Sequence, residues 1–439
     1  MPEQDLTPTE RLVKLLDHLG IRRAHVATQI PADIAGLATR HADRLAGVVL
    51  CVPTRLDPAP FAAIAGRLLM IAGERGLTRD VTARAEARLS GARRLVLKDY
   101  DAPGWADVVA DRTGEIVAAM AGFLASGADA PRAPAGDGSH AGITFRIEGK
   151  GPALVLLPFF LAPSQWMPAV PRLAERFTVI TLGGPHLGGV AALEDRARAP
   201  TYQAMFRTLI DLIAPKPGEA VLDVGCGAGS LDRLLARRLA GANPITAMDL
   251  NPFLLREAAA LAKAEGVDGA IRFCEGSAEK LPFPEASYDC IFSVTVLEEC
   301  DADKALREMV RVARPGGRVG VVVRSIDLPQ WWNLDLPEAI RRAANVPPQS
   351  VGSAGVADAS LYRRMRAAGL AELTCFPTMV TLDRPDGPIW RYREDHVLSQ
   401  LAPEETRTWV AARDAARAAG VLLTAHAMHA AVGVKPGRR

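Results

Sequence analysis

The strongest chemical signal in the sequence is an aspartate followed by three closely spaced glycines. Asp223 lies in the apolar run 220–224, and Gly225, Gly227 and Gly229 follow it at alternate positions. Glycines allow a backbone to turn sharply and a ligand to lie against it, because they carry no Cβ atom. Leucines at helical spacing come next, over residues 231–239. The pattern therefore predicts a buried strand, a glycine loop and a helix, which together form the first β-α unit of a parallel sheet.

A second acidic residue narrows the class of ligand. Asp249 ends the apolar run 245–249, where a carboxylate at the end of a second strand can accept hydrogen bonds from both hydroxyls of a ribose. The alternative is that Asp249 caps the helix expected to begin near Pro252. A dinucleotide would need glycine where the chain has Ser230, and its pyrophosphate would be repelled by Asp223. The pattern favours a nucleoside with a cationic amino-acid portion.

Further strand and helix patterns follow in a regular order. They predict a third strand and its loop over 271–283, a fourth strand over 288–297, a helix over 305–313 and a fifth strand over 318–323. Three motifs stand in sequence: Leu222-Asp-Val-Gly-Cys-Gly-Ala-Gly229, Gly276-Ser-Ala-Glu-Lys-Leu-Pro-Phe283 and Arg311-Val-Ala-Arg-Pro-Gly-Gly317. In these motifs residues 201–325 resemble the class I S-adenosylmethionine-dependent methyltransferases, in particular the group that acts on small molecules.

The resemblance implies how S-adenosylmethionine would be held. The implied cofactor-binding residues are Asp223, Gly225, Cys226, Gly227, Gly229, Asp249, Leu250, Ser277, Ala278 and Val294. Asp223 and the glycines would hold the methionine moiety, Asp249 the ribose, and the segment 277–278 the adenine. One departure is Ser277, where the family usually has aspartate. A hydroxyl can still accept a hydrogen bond from the adenine amino group, but without charge assistance, so we expect weaker cofactor binding.

Catalysis of methyl transfer makes few demands on side chains. Displacement at a sulfonium has an excellent leaving group, so the main task of the protein is to align the reactants and exclude water. A hydroxyl acceptor would need a base late in the reaction. Glu299, which follows the fourth strand, is the candidate by topology. The alternative is that Glu298 and Glu299 form the exposed start of a helix.

Aromatic residues are the candidates for contact with the substrate. Trp331 and Trp332 follow the fifth strand and could cover a cleft, with core packing as the alternative. Tyr202, on an amphipathic helix that begins near Thr201, is a further candidate. No metal site is expected: His426 and His429 would point to opposite faces of the last strand.

The first 190 residues carry a second α/β pattern. A linker rich in proline and glycine, at 127–142, divides strand and helix patterns on both sides. Residues 15–26 resemble the segment that leads into the nucleophile elbow of an α/β-hydrolase, and residues 147–157 resemble the amino-terminal half of that family. The resemblance implies a circularly permuted hydrolase fold.

The catalytic groups of that family are missing from the matching positions. Acyl transfer on this fold needs a serine, a histidine and an acid. The nucleophile position is occupied by Ile30, the acid position by Gly76 and the histidine position by Asp101. We therefore expect an inactive hydrolase-like scaffold. The alternative is a rearranged active site.

The composition is that of a folded protein without a strongly charged surface. At about 150 residues per domain, 439 residues correspond to two or three domains. The net charge of +2 excludes a field that would attract nucleic acid or anionic lipid over the whole surface. No apolar run reaches the roughly 20 residues that span a bilayer, so a cytoplasmic protein is expected. Six cysteines without a C-x-x-C motif predict neither a disulfide framework nor a zinc site.

The sequence thus predicts an α/β protein of two domains. Residues 1–190 would form the inactive hydrolase-like domain, and residues 191–439 a Rossmann-like, seven-stranded methyltransferase domain. The predicted function is S-adenosylmethionine-dependent methyl transfer to a small, partly apolar acceptor above the carboxyl ends of the strands. A non-catalytic S-adenosylmethionine-sensing or scaffold protein is the alternative, and Ser230 and Asp223 disfavour a nicotinamide-dependent oxidoreductase. Neither nucleic acid nor membrane is an expected partner, and a homodimer is left open.

Overall fold

The chain divides into two compact units, Met1–Ala192 and Leu193–Arg439. The structure, a computed structural model, describes residues 6–101, 108–124, 127–159, 162–184, 186–348, 351–384, 387–398 and 400–437. None of the helices within these ranges combines the length and the apolar composition needed to cross a bilayer.

The first unit alternates strands with helices. Its described strands are β1 (Ala24–Thr28), β2 (Leu45–Cys51), β3 (Leu68–Arg75), β4 (Arg93–Asp101), β5 (Gly136–His140), β6 (Ile143–Gly149), β7 (Ala153–Leu156) and β8 (Thr178–Gly183). The helices are α1 (Pro8–His18), α2 (Ala32–Arg40), α3 (Gly76–Glu86), α4 (Val108–Asp111), α5 (Thr113–Phe123) and α6 (Val170–Leu173). A further helix, α7 (Gly188–Arg198), begins in this unit and ends in the second. Thr7 and Glu10 cap α1 reciprocally, and Pro8 stands at its first position, where a missing N–H costs nothing.

The strands of this unit form one sheet with the order β4-β3-β2-β1-β7-β8-β6-β5. Strands β4, β3, β2, β1, β7 and β8, which are neighbours in this order, pair in parallel. Strand β6 is antiparallel to both of its neighbours, β8 and β5. Every residue of β1 and β7 is buried, as expected for central parallel strands with a hydrophobic layer on each face.

The predicted linker 127–142 contains a strand. Its small residues were expected to bury nothing, but Gly136–His140 pairs with β6 as the antiparallel edge strand β5. Asp129, also in this segment, accepts hydrogen bonds from the backbone N–H groups of Arg22 and Arg23. Backbone pairing needs no large side chains, which is why composition alone did not indicate the strand.

The second unit is built around a larger sheet. Its described strands are β9 (Val221–Val224), β10 (Ile245–Asp249), β11 (Ile271–Glu275), β12 (Tyr288–Val294), β13 (Ala313–Arg324), β14 (Trp331–Trp332), β15 (Ala371–Cys375), β16 (Thr378–Leu382) and β17 (Thr424–Val434). The helices are α8 (Pro200–Ile213), α9 (Ser230–Leu239), α10 (Pro252–Ala264), α11 (Ala302–Val312), α12 (Glu338–Ala344), α13 (Ser360–Ala367), α14 (Pro388–Leu398) and α15 (Pro403–Ala418).

The order of this sheet is β11-β10-β9-β12-β13-β17-β14, with β15 and β16 also paired to β17. Strands β9 to β13 run parallel to one another, and β17 is antiparallel to β13. The predicted Rossmann-like α/β fold is confirmed for this region. The order reverses between β9 and β12, so the carboxyl ends of these two strands border the crevice where open α/β sheets bind their ligands.

The predicted number of seven strands is wrong for the described residues, which contain nine. The strand expected over 371–382 is broken into β15 and β16 by Pro377, which has no N–H to donate to a ladder. The second addition is the two-residue strand β14, where Trp331 and Trp332 pair with Ala425 and Thr424 of β17.

Candidate active site

The glycine loop between β9 and α9 lies at the centre of the candidate site. Its three glycines all have positive φ, +85° at Gly225, +56° at Gly227 and +69° at Gly229, a region that favours glycine. The N–H groups of Gly225 and Cys226 donate to the carbonyl of Met248 at 2.7 and 2.9 Å. A Cβ atom on Gly225 would lie 2.2 Å from a methyl carbon of Val296. The loop therefore requires glycine at that position for both conformation and space.

Asp249 closes the loop from the end of β10. One carboxylate oxygen accepts the N–H of Gly227 at 2.8 Å, and the other accepts the N–H of Asn251 at 2.9 Å. Burial raises the pKa of Asp249, and these backbone N–H groups oppose the rise. The cap of α10 is Asn251, whose side chain accepts the N–H groups of Phe253 and Leu254. The capping alternative for Asp249 is therefore wrong, and its carboxylate faces the glycine loop.

A pair of buried carboxyl groups lies beneath the loop. Asp223 in β9 and Asp232 in the first turn of α9 are both inaccessible to solvent, and they interact with each other. Neither oxygen of Asp232 has a hydrogen-bond donor among the described residues, so a proton held between the two groups is needed to join them. Burial raises the pKa of both, that of Asp232 to about 7. Sequence reasoning missed Asp232, although an acid among the leucines of α9 was a signal.

The start of α9 is held by a buried ionic network. Ser230 donates from its hydroxyl to Glu194 at 2.7 Å, and Arg233 donates to the same carboxylate oxygen at 2.6 Å. A second guanidinium N–H of Arg233 donates to the carbonyl of Ala228, within the glycine loop, at 2.7 Å. These bonds fix the loop against the helix and give Ser230 a structural function.

The other predicted cofactor residues surround the same crevice with different degrees of exposure. Val294 is buried at the end of β12, whereas the side chain of Leu250 is 68% exposed after β10. Ser277 accepts the N–H of Glu279 with its hydroxyl at 3.2 Å, next to the half-buried Ala278. The carboxyl ends of β9, β10, β11 and β12 thus bring the predicted set to one end of the sheet, and its role in binding stays a prediction.

Tyr202 of α8 extends the site toward the end of β12. Its ring is fully buried, and its hydroxyl has no hydrogen-bond partner among the described residues. The guanidinium of Arg196 lies 5.0 Å from the centre of the ring and donates to the hydroxyl of Thr295 at 3.1 Å. Burial raises the pKa of Tyr202; Arg196 opposes this rise, and the charges of Asp223 and Glu298 add to it. The phenol therefore lies between the glycine-loop carboxylate and the segment after β12.

Glu298 and Glu299 occupy different environments. Glu298 is fully buried, and one of its oxygens accepts the N–H of Arg324 at 2.7 Å and a guanidinium N–H of the same residue at 3.2 Å. Its other oxygen is buried and has no partner within the described part of the chain. Glu299 is 43% exposed and binds the outer edge of the Arg324 guanidinium. The alternative, that both glutamates form the exposed start of a helix, is wrong: Glu298 is buried, and helix α11 begins at Ala302, after an N-cap at Asp301.

The two adjacent tryptophans do not act together. Trp332 is buried, donates its indole N–H to the carbonyl of Ala344 at 3.1 Å, and packs edge-on against Trp390 and Trp409. Trp331, on the opposite face of β14, is 48% exposed. A joint lid is therefore excluded, since successive residues of a strand point to opposite faces. Core packing accounts for Trp332.

A small cavity, with room for about one water molecule, lies beyond the end of β13. Arg324, Arg393 and His426 contribute its charged or titratable side chains, and Ile326 and Pro347 belong to its apolar part. Arg196, which contacts Tyr202, also acts on the pKa of His426. The cavity thus lies on the same side of the sheet as the buried tyrosine. Sequence reasoning considered His426 only as a metal ligand and did not single out Arg324 or Arg393.

Comparison with known proteins assigns the central part of the second unit. Residues 222–321 match the family model described as a methyltransferase domain. The ubiquinone/menaquinone biosynthesis C-methyltransferase UbiE of Vibrio cholerae is 36% identical over 117 residues, which are 26% of this chain and 45% of that protein. The enzyme of the same name from Vibrio campbellii is 35% identical over 131 residues, which are 30% of this chain and 51% of that protein. The chain spans about half the length of these curated relatives.

A solved structure is similar over a longer range. The YcgJ protein of Bacillus subtilis has 21% identity and a TM-score of 0.38, and the match covers 54% of this chain and 100% of that one. The motifs, the glycine loop and the match of residues 222–321 agree, and the predicted resemblance is confirmed: this segment is a class I S-adenosylmethionine-dependent methyltransferase domain.

Proposed function

We propose that the protein is an enzyme that transfers the methyl group of S-adenosylmethionine to a small, partly apolar acceptor. The observation that carries the proposal is the glycine loop, held open between Asp249 and the buried pair Asp223 and Asp232. The loop lies at the carboxyl end of β9, where open α/β sheets bind their ligands.

The residues present fit the cofactor. A carboxylate has about four acceptor positions, so Asp249 can accept a ribose hydroxyl while it keeps its bonds to Gly227 and Asn251. The unmet hydrogen-bonding capacity of Asp232, together with Asp223, suits the cationic amino group of the methionine portion. When bound, S-adenosylmethionine supplies an electrophilic methyl group on a sulfonium.

The protein contributes to the reaction by positioning the reactants and by excluding water. Arg233 and Glu194 hold the loop rigidly, so the reactants can be kept aligned. Glu299 remains a predicted base. Both glutamates pair with Arg324, and the burial of Glu298, which leaves one oxygen without a partner among the described residues, favours Glu298 for this role. The buried, unpartnered oxygen of Glu298 and its raised pKa, caused by burial and opposed by Arg324, are suited to accepting a proton from an acceptor hydroxyl.

The proposal predicts that Asp249→Ala weakens the binding of S-adenosylhomocysteine at least tenfold. Each hydrogen bond to a charged group contributes about 1.5–3 kcal/mol, and loss of the carboxylate also releases the N–H of Gly227. Isothermal titration calorimetry on the full chain measures the change. Asp268→Ala removes an exposed aspartate and should leave binding unchanged. Equal affinity of Asp249→Ala and the parent would contradict the assignment.

Product formation separates the enzyme from a cofactor sensor. We expect incubation with isotope-labelled S-adenosylmethionine and a metabolite extract to give a labelled small molecule, detected by mass spectrometry. Binding of S-adenosylhomocysteine without any labelled product would favour the non-catalytic alternative.

For the first unit we propose a circularly permuted α/β-hydrolase fold. If the chain were restarted at β5, the strands would occur in the order 1-2-4-3-5-6-7-8 across the sheet, which is the order of that family. Ile30 lies in the turn between β1 and α2, where the family carries its nucleophile. A Cβ atom on Gly76, at the acid position, would lie 2.0 Å from the carboxylate of Asp101, at the histidine position. This proximity supports the assignment of both positions.

A further inference from the structure

The cation next to the carboxyl pair of Asp223 and Asp232 is committed to other partners. Arg233 follows Asp232 in α9, and its charge lowers the pKa of that carboxyl only in part, because burial raises it more. The guanidinium of Arg233 donates to Glu194 at 2.6 Å and pairs with Glu265 at 3.0 Å. Two other carboxylates therefore share its single positive charge.

The remaining titratable groups around the pair are acidic or neutral. Burial raises the pKa of Asp223 and of Asp232, and the charge of Asp249 raises both further. Burial and the charges of these three aspartates also raise the pKa of the Cys226 thiol, in the loop above the pair. Burial and the charge of Asp223 raise the pKa of the Tyr202 phenol, on α8. None of these side chains can supply a positive charge.

A shared proton satisfies only part of what the pair requires. Both oxygens of Asp232 are buried and have no hydrogen-bond donor among the described residues. A proton between the two groups provides one hydrogen bond, whereas two carboxyl groups together have several acceptor positions. Buried acceptors that stay unfilled are costly. The pair therefore retains capacity for a ligand with more donors than a proton.

The pair lies below a part of the loop that solvent reaches. Gly225, Cys226 and Gly227 are each half-buried, and they follow directly after the strand that carries Asp223. The two glycines have no side chain that would keep a ligand away from the backbone. A cationic group that lies against this loop would come close to the acidic cluster beneath it.

We infer that Asp223 and Asp232 exchange their shared proton for the ammonium group of the amino-acid portion of the cofactor, and that Asp232 thereby selects ligands that carry this group. The inference rests on the proposed binding of S-adenosylmethionine. The exchange replaces one positive charge by another, so the net charge beside Asp249 stays the same. An ammonium group has three N–H donors, and the displaced proton passes to the solvent. Binding therefore releases a proton, and a lower pH weakens it.

Proton release can be measured by isothermal titration calorimetry of the full chain with S-adenosylhomocysteine. Titrations near pH 6 in cacodylate, MES and imidazole buffers, which differ in their enthalpy of ionisation, give the number of protons released. The amino group of the ligand is already protonated at this pH, so a released proton comes from the protein. We expect about one proton per bound ligand, since the pair holds its proton below a pH of about 7.

Methylthioadenosine is the matched ligand for this experiment. It has the adenine, the ribose and the sulfur of S-adenosylhomocysteine, but it lacks the amino-acid portion. Any proton that Asp249 gains or loses when it meets the ribose is common to both ligands. The difference between them therefore reports the carboxyl pair, and we expect methylthioadenosine to release close to no protons. If it binds weakly, titration of the methylthioadenosine-saturated protein with S-adenosylhomocysteine measures the same difference.

A variant shows whether Asp232 is the source of the proton. Asp232→Asn keeps the size of the side chain but cannot ionise, so it should bind S-adenosylhomocysteine more weakly and without proton release. From pH 5.5 to pH 7.5 the affinity of the parent should rise at least about tenfold, and that of the variant by less than about twofold. Asp268→Asn, at an exposed position, should follow the parent. The comparison of the two ligands in the parent does not depend on any variant folding.

The outcomes distinguish this inference from the proposed function. If S-adenosylhomocysteine does not bind the parent at any pH in this range, the proposed methyl transfer fails. If it binds without proton release, or releases no more protons than methylthioadenosine, the exchange is excluded and the proposed function stands.

Discussion

The solvent exposure of several acidic side chains in the second unit differs from what their positions along the chain suggest. Glu298 and Glu299 are neighbours, yet one is fully buried and the other is 43% exposed. Acids are common in the first turn of a helix, where they are usually exposed. Asp232 lies in the first turn of α9, yet it is buried beside Asp223. Burial is what converts these residues from surface charges into groups that need a specific partner.

The environments of the two glutamates predict different effects on stability. Glu298→Ala should lower the free energy of unfolding by about 3 kcal/mol, because it leaves Arg324 without its buried partner. Glu299→Ala should cost at most about 1 kcal/mol, as expected for an exposed pair. Urea denaturation of the cofactor-free protein measures both. Equal losses in the two variants would show that the burial of Glu298 has no energetic consequence.

The carboxyl pair predicts a loss of stability as the pH rises. The pKa of Asp232 is near 4 in the unfolded chain and about 7 in the folded protein, so the folded state retains a proton that the unfolded state loses. Stability from this group is present below pH 4 and is lost as the pH rises through 7. Between pH 5 and 7 the free energy of unfolding should fall on the order of 2 kcal/mol more in the parent than in Asp232→Asn.

Thermal or urea unfolding at each pH, without cofactor, gives this difference directly. Asp268→Asn, at an exposed position, should follow the parent. A parallel pH dependence of Asp232→Asn and the parent would show that the pair holds no proton in this range.

The glycine loop requires glycine for two separate reasons, its backbone conformation and its close packing. Gly225 needs a positive φ and also lies against Val296, whereas Gly218 has nearly the same φ, +84°, with open space around its Cα. A substitution at Gly218 therefore tests backbone strain alone, whereas the same substitution at Gly225 tests backbone strain together with steric overlap.

Gly218→Ala should cost about 1 kcal/mol, from the left-handed conformation alone. Gly225→Ala should cost more and should weaken S-adenosylhomocysteine binding, because its methyl group would displace Val296 or the loop. Val296→Ala in the same chain should restore part of the loss. Calorimetric unfolding and titration measure these effects. If Gly225→Ala resembled Gly218→Ala in both, close packing of the loop would be unimportant.

The candidate functional residues identified in the structure lie in the second unit. The glycine loop and the cavity beyond β13 both belong to the second unit. In the fold that we propose for the first unit, the positions of the hydrolase triad are occupied by Ile30, Gly76 and Asp101. An isoleucine side chain cannot attack a carbonyl, so the first unit is expected to lack acyl-transfer activity.

The full chain should therefore hydrolyse p-nitrophenyl acetate no faster than the buffer. A serine esterase assayed in parallel shows that the conditions detect turnover. Hydrolysis above the blank that survives in a fragment of residues 1–192 would contradict the inactive scaffold.

The sequence by itself determined the strands that alternate with helices, the glycine loop and the methyltransferase motifs. These features are local: the spacing of the glycines and the acid at the end of the apolar run 245–249 are patterns among residues close in the chain. The edge strand β5 was missed because backbone pairing with a distant partner leaves little trace in side-chain composition.

Only the tertiary structure decided which charged side chains lie close together. Asp223 of β9 and Asp232 of α9 interact inside the fold, and Arg393 of α14 and His426 of β17 line the same cavity. Burial and electrostatic fields depend on distances between residues that are remote in sequence, so no motif records them. The glycine loop could therefore be predicted from the sequence, whereas the burial of Asp232 and of Glu298 could not.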